Sequence, residues 1–132
     1  MIVSPADIAT LAQAYTAAWC SGSGEAVASF FTADATSIIN GAEPTTGRRT
    51  IAEDMGAFFA EFPDLVLYMD DLRCGGNQAI YLWTLEGTHS ETGNRVRIPG
   101  WQNWLVSDDR LISRADGGFD AEEYARQVAH GL

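Results

Sequence analysis

Residues 65–90 read LVLYMDDLRCGGNQAIYLWTLEGTHS. Two runs rich in aliphatic and aromatic residues flank Gly75-Gly76-Asn77, a combination that tolerates the positive φ of a tight turn. The stretch predicts an antiparallel hairpin, with strands over residues 65–73 and 78–89. The pattern continues downstream, where residues 95–107 and 110–116 read as two more strands joined by a turn at Ser107-Asp108-Asp109. Successive strands with such short connections make an antiparallel meander.

Upstream of the hairpin the periodicity changes from two to that of a helix. Ser4-Pro5-Ala6-Asp7 supplies an N-cap, a proline at the first helical position and an acid at the third. Ile8, Leu11, Ala12, Tyr15 and Trp19 then follow helical spacing, which predicts a helix to about Cys20. Ser21-Gly22-Ser23-Gly24 breaks it, and a short second helix carries Val27, Phe30 and Phe31. Residues 35–40 read as a strand, and residues 41–47 as a polar loop. A third helix covers roughly residues 50–62, with Ile51, Met55, Phe58, Phe59 and Phe62 on one stripe, and Pro63 ends it. Asp120 and Glu123 frame a second capping box, so a closing helix is expected over residues 121–129.

Helices followed by a meander predict an α+β fold. The expected shape is a cone-shaped barrel, made of a strongly bent antiparallel sheet covered by three to four helices, in one domain over residues 1–132. Such a sheet leaves a blind apolar cavity at its open end, the kind of concavity in which small molecules bind. The outer sheet face exposes large apolar residues at alternate positions, which predicts a homodimer formed through it.

Composition narrows the function. At 46% hydrophobic and 11% aromatic residues the chain can bury a core. A formal charge of −10 repels nucleic acid and anionic membranes. No apolar run reaches the ~20 residues of a membrane span, and the first residues lack the pattern of a signal peptide, so the expected compartment is the cytoplasm. Cys20 and Cys74 offer neither metal spacing nor a disulfide framework and are expected as reduced packing residues. With no phosphate-binding glycine loop and no metal-ligand cluster, no cofactor is expected.

Three stretches carry a family resemblance. Trp19-Cys20-Ser21-Gly22, followed by Phe30-Phe31-Thr32-Ala33-Asp34-Ala35, is similar to the opening of the nuclear-transport-factor-two-like superfamily. Trp83-Thr84-Leu85-Glu86-Gly87-Thr88-His89 looks like the strand end of SnoaL-like polyketide cyclases. Residues 110–116, then Phe119-Asp120, resemble their last strand and its exit. In this order the stretches cover nearly the whole chain, which therefore resembles the SnoaL-like polyketide cyclase family. The same cone hosts isomerases, hydrolases, dehydratases and non-catalytic binding or dimerisation modules, so pocket residues must decide function.

The resemblance implies that Asp116, at the end of the last strand, faces the cavity as the acid/base residue. A carboxylate against an apolar wall is pushed toward its neutral form, which suits proton transfer. Tyr15 falls where ketosteroid isomerases carry an oxyanion-binding tyrosine, and it also belongs to the apolar stripe of its helix. Glu86 is the candidate partner of Asp116 in activating a water, with Thr84 where limonene-epoxide hydrolases have arginine. His89 lies on the opposite strand face from Glu86 and is a candidate ligand contact or a solvated strand end. Gln102 takes the place of a histidine in the cyclases; it can hydrogen-bond a carbonyl but cannot titrate. Trp104 shares its face, while Trp101 and Asn103 share the other. Asn40 is a polar pocket contact or a turn residue. Where ketosteroid isomerases present their base this chain has Ala35-Thr36-Ser37-Ile38-Ile39, and isoleucine cannot accept a proton. Two functions follow as expectations. One is an acid/base enzyme of cyclase, isomerase or hydrolase type acting on a hydrophobic oxygenated molecule. The other is a non-catalytic apolar-ligand-binding or dimerisation module of the same fold.

Overall fold

The computed structural model describes residues 3–132, and Met1 and Ile2 lie outside the described residues. Helix α1 (Pro5–Trp19) begins as its sequence demands: the Ser4 hydroxyl accepts from the Asp7 N–H, and the Asp7 carboxylate accepts from the Ser4 N–H. Its stripe of Ile8, Leu11, Ala12, Tyr15 and Trp19 is buried. Helix α2 (Gly24–Ala28) is capped by the Ser23 hydroxyl. Strand β1 (Phe31–Ile39) follows, then a two-residue strand β2 (Thr45–Thr46), helix α3 (Arg48–Glu61), strands β3 (Val66–Gly75), β4 (Gln78–Thr88), β5 (Arg95–Val106) and β6 (Ile112–Phe119), and helix α4 (Ala121–His130). Asp120 caps α4 through the Glu123 N–H, but the Glu123 carboxylate binds Arg126 and Gln127 instead of completing a box.

The six strands lie in the order β2-β1-β6-β5-β4-β3, so the sheet curls without closing. The meander is antiparallel as expected, but β1 pairs parallel with β6. That pairing explains two departures from the sequence reading. Phe31 was expected in the second helix, yet it pairs with Ile112 and starts β1, because sheet pairing outweighs local helical preference. The last strand runs three residues past Asp116, because Gly117 pairs with both Ile39 and Gln102. Helix α3 also starts earlier than Thr50. The guanidinium of Arg48 donates twice to the Phe31 carbonyl, at 2.9 and 2.7 Å, and pins the helix start to β1.

One register shift in β3, between Met69 and Asp71, marks a bulge that helps the sheet bend. The concave face carries Ala79, Tyr81 and Leu85 of β4, Ile98 and Trp104 of β5 and Ala115 of β6, all buried with the α1 stripe in one core. Both cysteines are free and exposed rather than packed inside, a correction to their expected burial; the Cys20 thiol donates to the Leu67 carbonyl. Among the described residues no helix is long and apolar enough to cross a membrane.

Helices α2 and α3 meet backbone to backbone at Gly24. A Cβ there would lie 2.4 Å from the Ala52 carbonyl oxygen and 2.8 Å from the Gly56 nitrogen. Neither atom can swing aside, so Gly24→Ala should lower stability by about 1–3 kcal/mol, the usual cost of overpacking. Urea unfolding is the measurement, and an unchanged midpoint would contradict the close approach.

Candidate functional site

The cone narrows to a cavity between α1, α3, α4 and the concave sheet face. Tyr15 and Trp19 come from α1, Met55 and Phe58 from α3, and Tyr124 from α4. The sheet supplies Leu67, Tyr81, Trp83, Leu85, Ile98 and Gln102, among others. Mouth included, the concavity is about 590 Å³, but the room left for a water-sized sphere to move is only about 50 Å³. That is well below the ~150 Å³ of an engineered cavity that takes up benzene. Aromatic side chains fill most of the cone, and those near the rim are the least confined. Trp83, Phe119 and Tyr124 are half-buried.

The polar centre of the wall is built around Gln102. Its Oε1 accepts from the Tyr15 hydroxyl at 3.1 Å and from Trp104 Nε1 at 3.0 Å. Tyr15 is fully enclosed, with Trp19, Phe30, Phe31, Tyr81 and Trp104 around its ring at centroid distances of 5.1–6.5 Å. Trp104 stacks on Tyr81 at 4.7 Å. Tyr81 in turn shares a hydrogen bond with the Thr16 hydroxyl. Burial pushes the Tyr15 phenol up to about 12, only partly opposed by its hydrogen bonds, so it stays protonated and acts as a fixed donor.

Strand parity decides which expected site residues reach this centre. Tyr15 and Gln102 line the cavity. Trp104 lies behind them in the core and acts through Gln102 rather than on the cavity. Asp116 was expected to face the cavity and does not. Its neighbours Ala115 and Gly117 turn inward, so it lies on the outer face, level with Asn103 and Ile38. Glu86 is corrected in the same way. It stands on the outer face across from Arg97, whose Nε donates to it at 2.7 Å, with Arg95 3.9 Å away. The two carboxylates therefore do not share a water in the cavity.

His89 is neither a wall residue nor solvated. It is buried, and its Nδ1 accepts from the backbone N–H groups of Glu91 and Thr92, each at 3.3 Å, which organises the turn between β4 and β5. Asn40 is a turn residue: it takes φ 54°, and its Oδ1 accepts from the Phe119 N–H at 2.8 Å. Sequence reasoning passed over Tyr81, Tyr124 and Glu61. The last two meet through a hydrogen bond from the Tyr124 hydroxyl to the Glu61 carboxylate, 63 residues apart in sequence. Only Tyr124's place on the apolar side of the closing helix hinted at a wall position. Among the described residues no group of three or more His, Cys, Asp or Glu side chains could hold a metal ion.

A curled, unclosed sheet wrapped on helices with this order of elements is the ketosteroid isomerase-like fold, and solved structures agree. A protein from Catenulispora acidiphila DSM 44928, crystallised with trimethylamine, has that fold and superposes with a TM-score of 0.83 at 16% identity, covering 96% of this chain and 94% of its own. SalBIII, an epoxide hydrolase/cyclase-like enzyme of pyran ring formation in the polyether salinomycin, gives 0.78 at 16% identity over 88% and 92%. TerC, co-crystallised with polyporic acid, gives 0.79 at 15% identity over 92% and 98%. The sequence profile of the SnoaL-like domain matches residues 12–114, so the chain belongs to the SnoaL-like domain family. No curated protein matches it.

The raised Tyr15 ionisation has a measurable sign. An unfolded tyrosine ionises near ~10, so the unfolded chain loses this proton first as pH rises. The contribution of neutral, buried Tyr15 is fully present below pH ~10 and is lost between there and about 12. Stability should fall across that window by roughly 2–3 kcal/mol, and Tyr15→Phe should shallow the decline in alkaline urea melts. An equal slope in the variant would remove Tyr15 as its source.

Proposed function

We propose that this SnoaL-like domain captures an apolar, oxygen-bearing small molecule in the cone and holds its acceptor oxygen on the side-chain N–H of Gln102. One observation carries the reading: the orientation of that amide. Two donors converge on Oε1, and flipping the amide would set its NH₂ against both. Among the described residues nothing in the protein accepts from Nε2, and no buried polar side-chain atom lacks a partner. The amide nitrogen is therefore not sealed in; it opens on the cavity with donors to spare. The apolar wall supplies the bulk contact and the amide supplies orientation, the usual division of labour in small-molecule sites.

Ligand capture fits this wall better than acid/base turnover by Asp116 and Glu86, since both carboxylates stand on the other side of the sheet. Tyr15 and Gln102 can polarise a carbonyl, but neither exchanges a proton readily near neutral pH. The pairing of TerC with polyporic acid and of SalBIII with pyran ring formation makes oxygenated ring compounds a reasonable class to try first.

The decisive variant is Gln102→Glu. It keeps an oxygen for Tyr15 and Trp104 and replaces the donor NH₂ with a second oxygen. Affinity for a ligand retained through purification and identified by mass spectrometry should fall about tenfold or more, the worth of one hydrogen bond plus the repulsion that replaces it. Asp116→Asn should leave affinity unchanged. Equal binding by Gln102→Glu and wild type in calorimetry would overturn the assignment.

The outer sheet face has its own reading. Val66, Tyr68, Ile80 and Trp101 are exposed there, from 37% to 47%, and Asp116 and Asn103 lie in the same field. We propose that this face pairs with a second copy about a twofold axis. Sedimentation of the wild type should give a dimer, and Ile80→Asp with Tyr68→Asp a monomer. A wild-type monomer at micromolar concentration would end the proposal.

A further inference from the structure

Tyr124 is a cavity residue whose polar end capture by Gln102 leaves unused. Its ring is held by Phe119 and Phe62, at centroid distances of 5.3 and 6.1 Å, while its hydroxyl donates to Glu61 Oε2 at 3.1 Å. The other carboxylate oxygen of Glu61 faces His89, whose Nε2 is 3.6 Å away. At that distance the contact is electrostatic rather than a hydrogen bond. The tautomer of His89 follows from the turn it organises: with Nδ1 accepting from two backbone N–H groups, the proton of the neutral ring sits on Nε2 and points its dipole at Glu61. Glu61 thus meets a donor group at each oxygen and is held in place between α4 and the β4–β5 turn.

The consequence lies at the phenol oxygen. The Tyr124 proton is committed to Glu61, so what the hydroxyl can still offer is its acceptor capacity. Donation to a carboxylate polarises the O–H group and strengthens the oxygen as an acceptor. Burial, and then the charge of Glu61, raise the ionisation of Tyr124, which keeps the group a neutral acceptor near neutral pH. An anionic ligand group is disfavoured beside Glu61, and a neutral hydroxyl is not.

Resting on the reading that the cavity holds a small molecule, we propose that Tyr124, backed by Glu61, is a second polar subsite that accepts a hydrogen bond from a ligand hydroxyl. The cavity then reads two features of one molecule: an acceptor oxygen, met by Gln102, and a hydroxyl, met by Tyr124, on an apolar body between aromatic walls. His89 is a positioning residue that fixes Glu61 from behind.

Two probes of the same ring system separate the contacts: 2-naphthol, which carries a hydroxyl donor, and 2-methoxynaphthalene, which keeps the oxygen and loses the donor. Calorimetry on the full chain should show wild type preferring 2-naphthol by about tenfold. Tyr124→Phe should abolish the preference. Glu61→Gln keeps the side-chain shape and should narrow the preference by several-fold, so the proposal stays testable even where the phenylalanine variant melts early. A ratio that is the same in wild type and Glu61→Gln, or in wild type and Tyr124→Phe, overturns the subsite while the cavity reading stands. Failure of both naphthalenes to bind wild type overturns the cavity reading and the subsite with it.

Discussion

Tyr15 joins the first helix to the sheet, and the rest of the cone is arranged around how its ring and hydroxyl are satisfied. The ring is enclosed by five other aromatic rings from α1, β4, β5 and the segment that opens β1. A hydroxyl so deeply enclosed must find a partner or cost the fold roughly 1–3 kcal/mol. Gln102 Oε1 is that partner, and it serves Trp104 as well. One carbonyl oxygen therefore meets two buried donors, and the amide has no freedom left. That its nitrogen is left without a protein acceptor, among the described residues, is a by-product of core packing.

Parity along a strand then assigns every other role. Gln102 pairs with Tyr81 on one side and Gly117 on the other, and this row points inward. Asn103, one residue on, pairs with Ile80 and Asp116, and that row points outward. Gly117 sharpens the constraint, because a Cβ there would lie 2.3 Å from the Trp101 carbonyl oxygen. The inward position nearest the acid expected from the family therefore has no room for any side chain. A cavity wall without carboxylates and an acidic residue on the outer face, between Asn103 and Ile38, are two results of the same alternation.

Most of the fold was legible because it rests on local signals. The Ser4 cap, the apolar stripe of α1, the glycines at residues 75 and 76 and the alternation of β4 each announce their element without reference to the rest. What stayed hidden depends on distant partners. Phe31 reads as helical until Ile112 pairs with it, and Thr45–Thr46 is too short a strand to leave a periodic trace. The site divides in the same way. Gln102 and Tyr15 both line the cavity, and each was singled out by position: the resemblance puts Gln102 in a histidine's place, and Tyr15 belongs to its helix stripe. Asp116 was misplaced because family position was carried over without its parity, and the extension of β6 through Gly117 to Phe119 makes that parity visible. Glu61 gave no signal and Tyr124 only a faint one, since a glutamate at a helix end and a tyrosine on an amphipathic helix are individually ordinary.

The narrowness of the cavity bears on how the proposed capture would select. With about 50 Å³ of free room, a ring-sized ligand must displace aromatic side chains, and those able to yield stand at the rim: Trp83, Phe119 and Tyr124. The apolar packing a ligand makes in the cone then partly replaces packing these side chains had with one another, so buried area converts poorly into affinity. Polar contacts do not cancel in this way. The amide of Gln102 is committed at its oxygen and open at its nitrogen whether or not a ligand is present, so it needs no rearrangement to donate. A cone that fills itself with its own aromatics discriminates by such fixed donors and acceptors more than by volume. In the proposed capture role, selectivity is accordingly set by the few polar atoms whose orientation the core has already imposed.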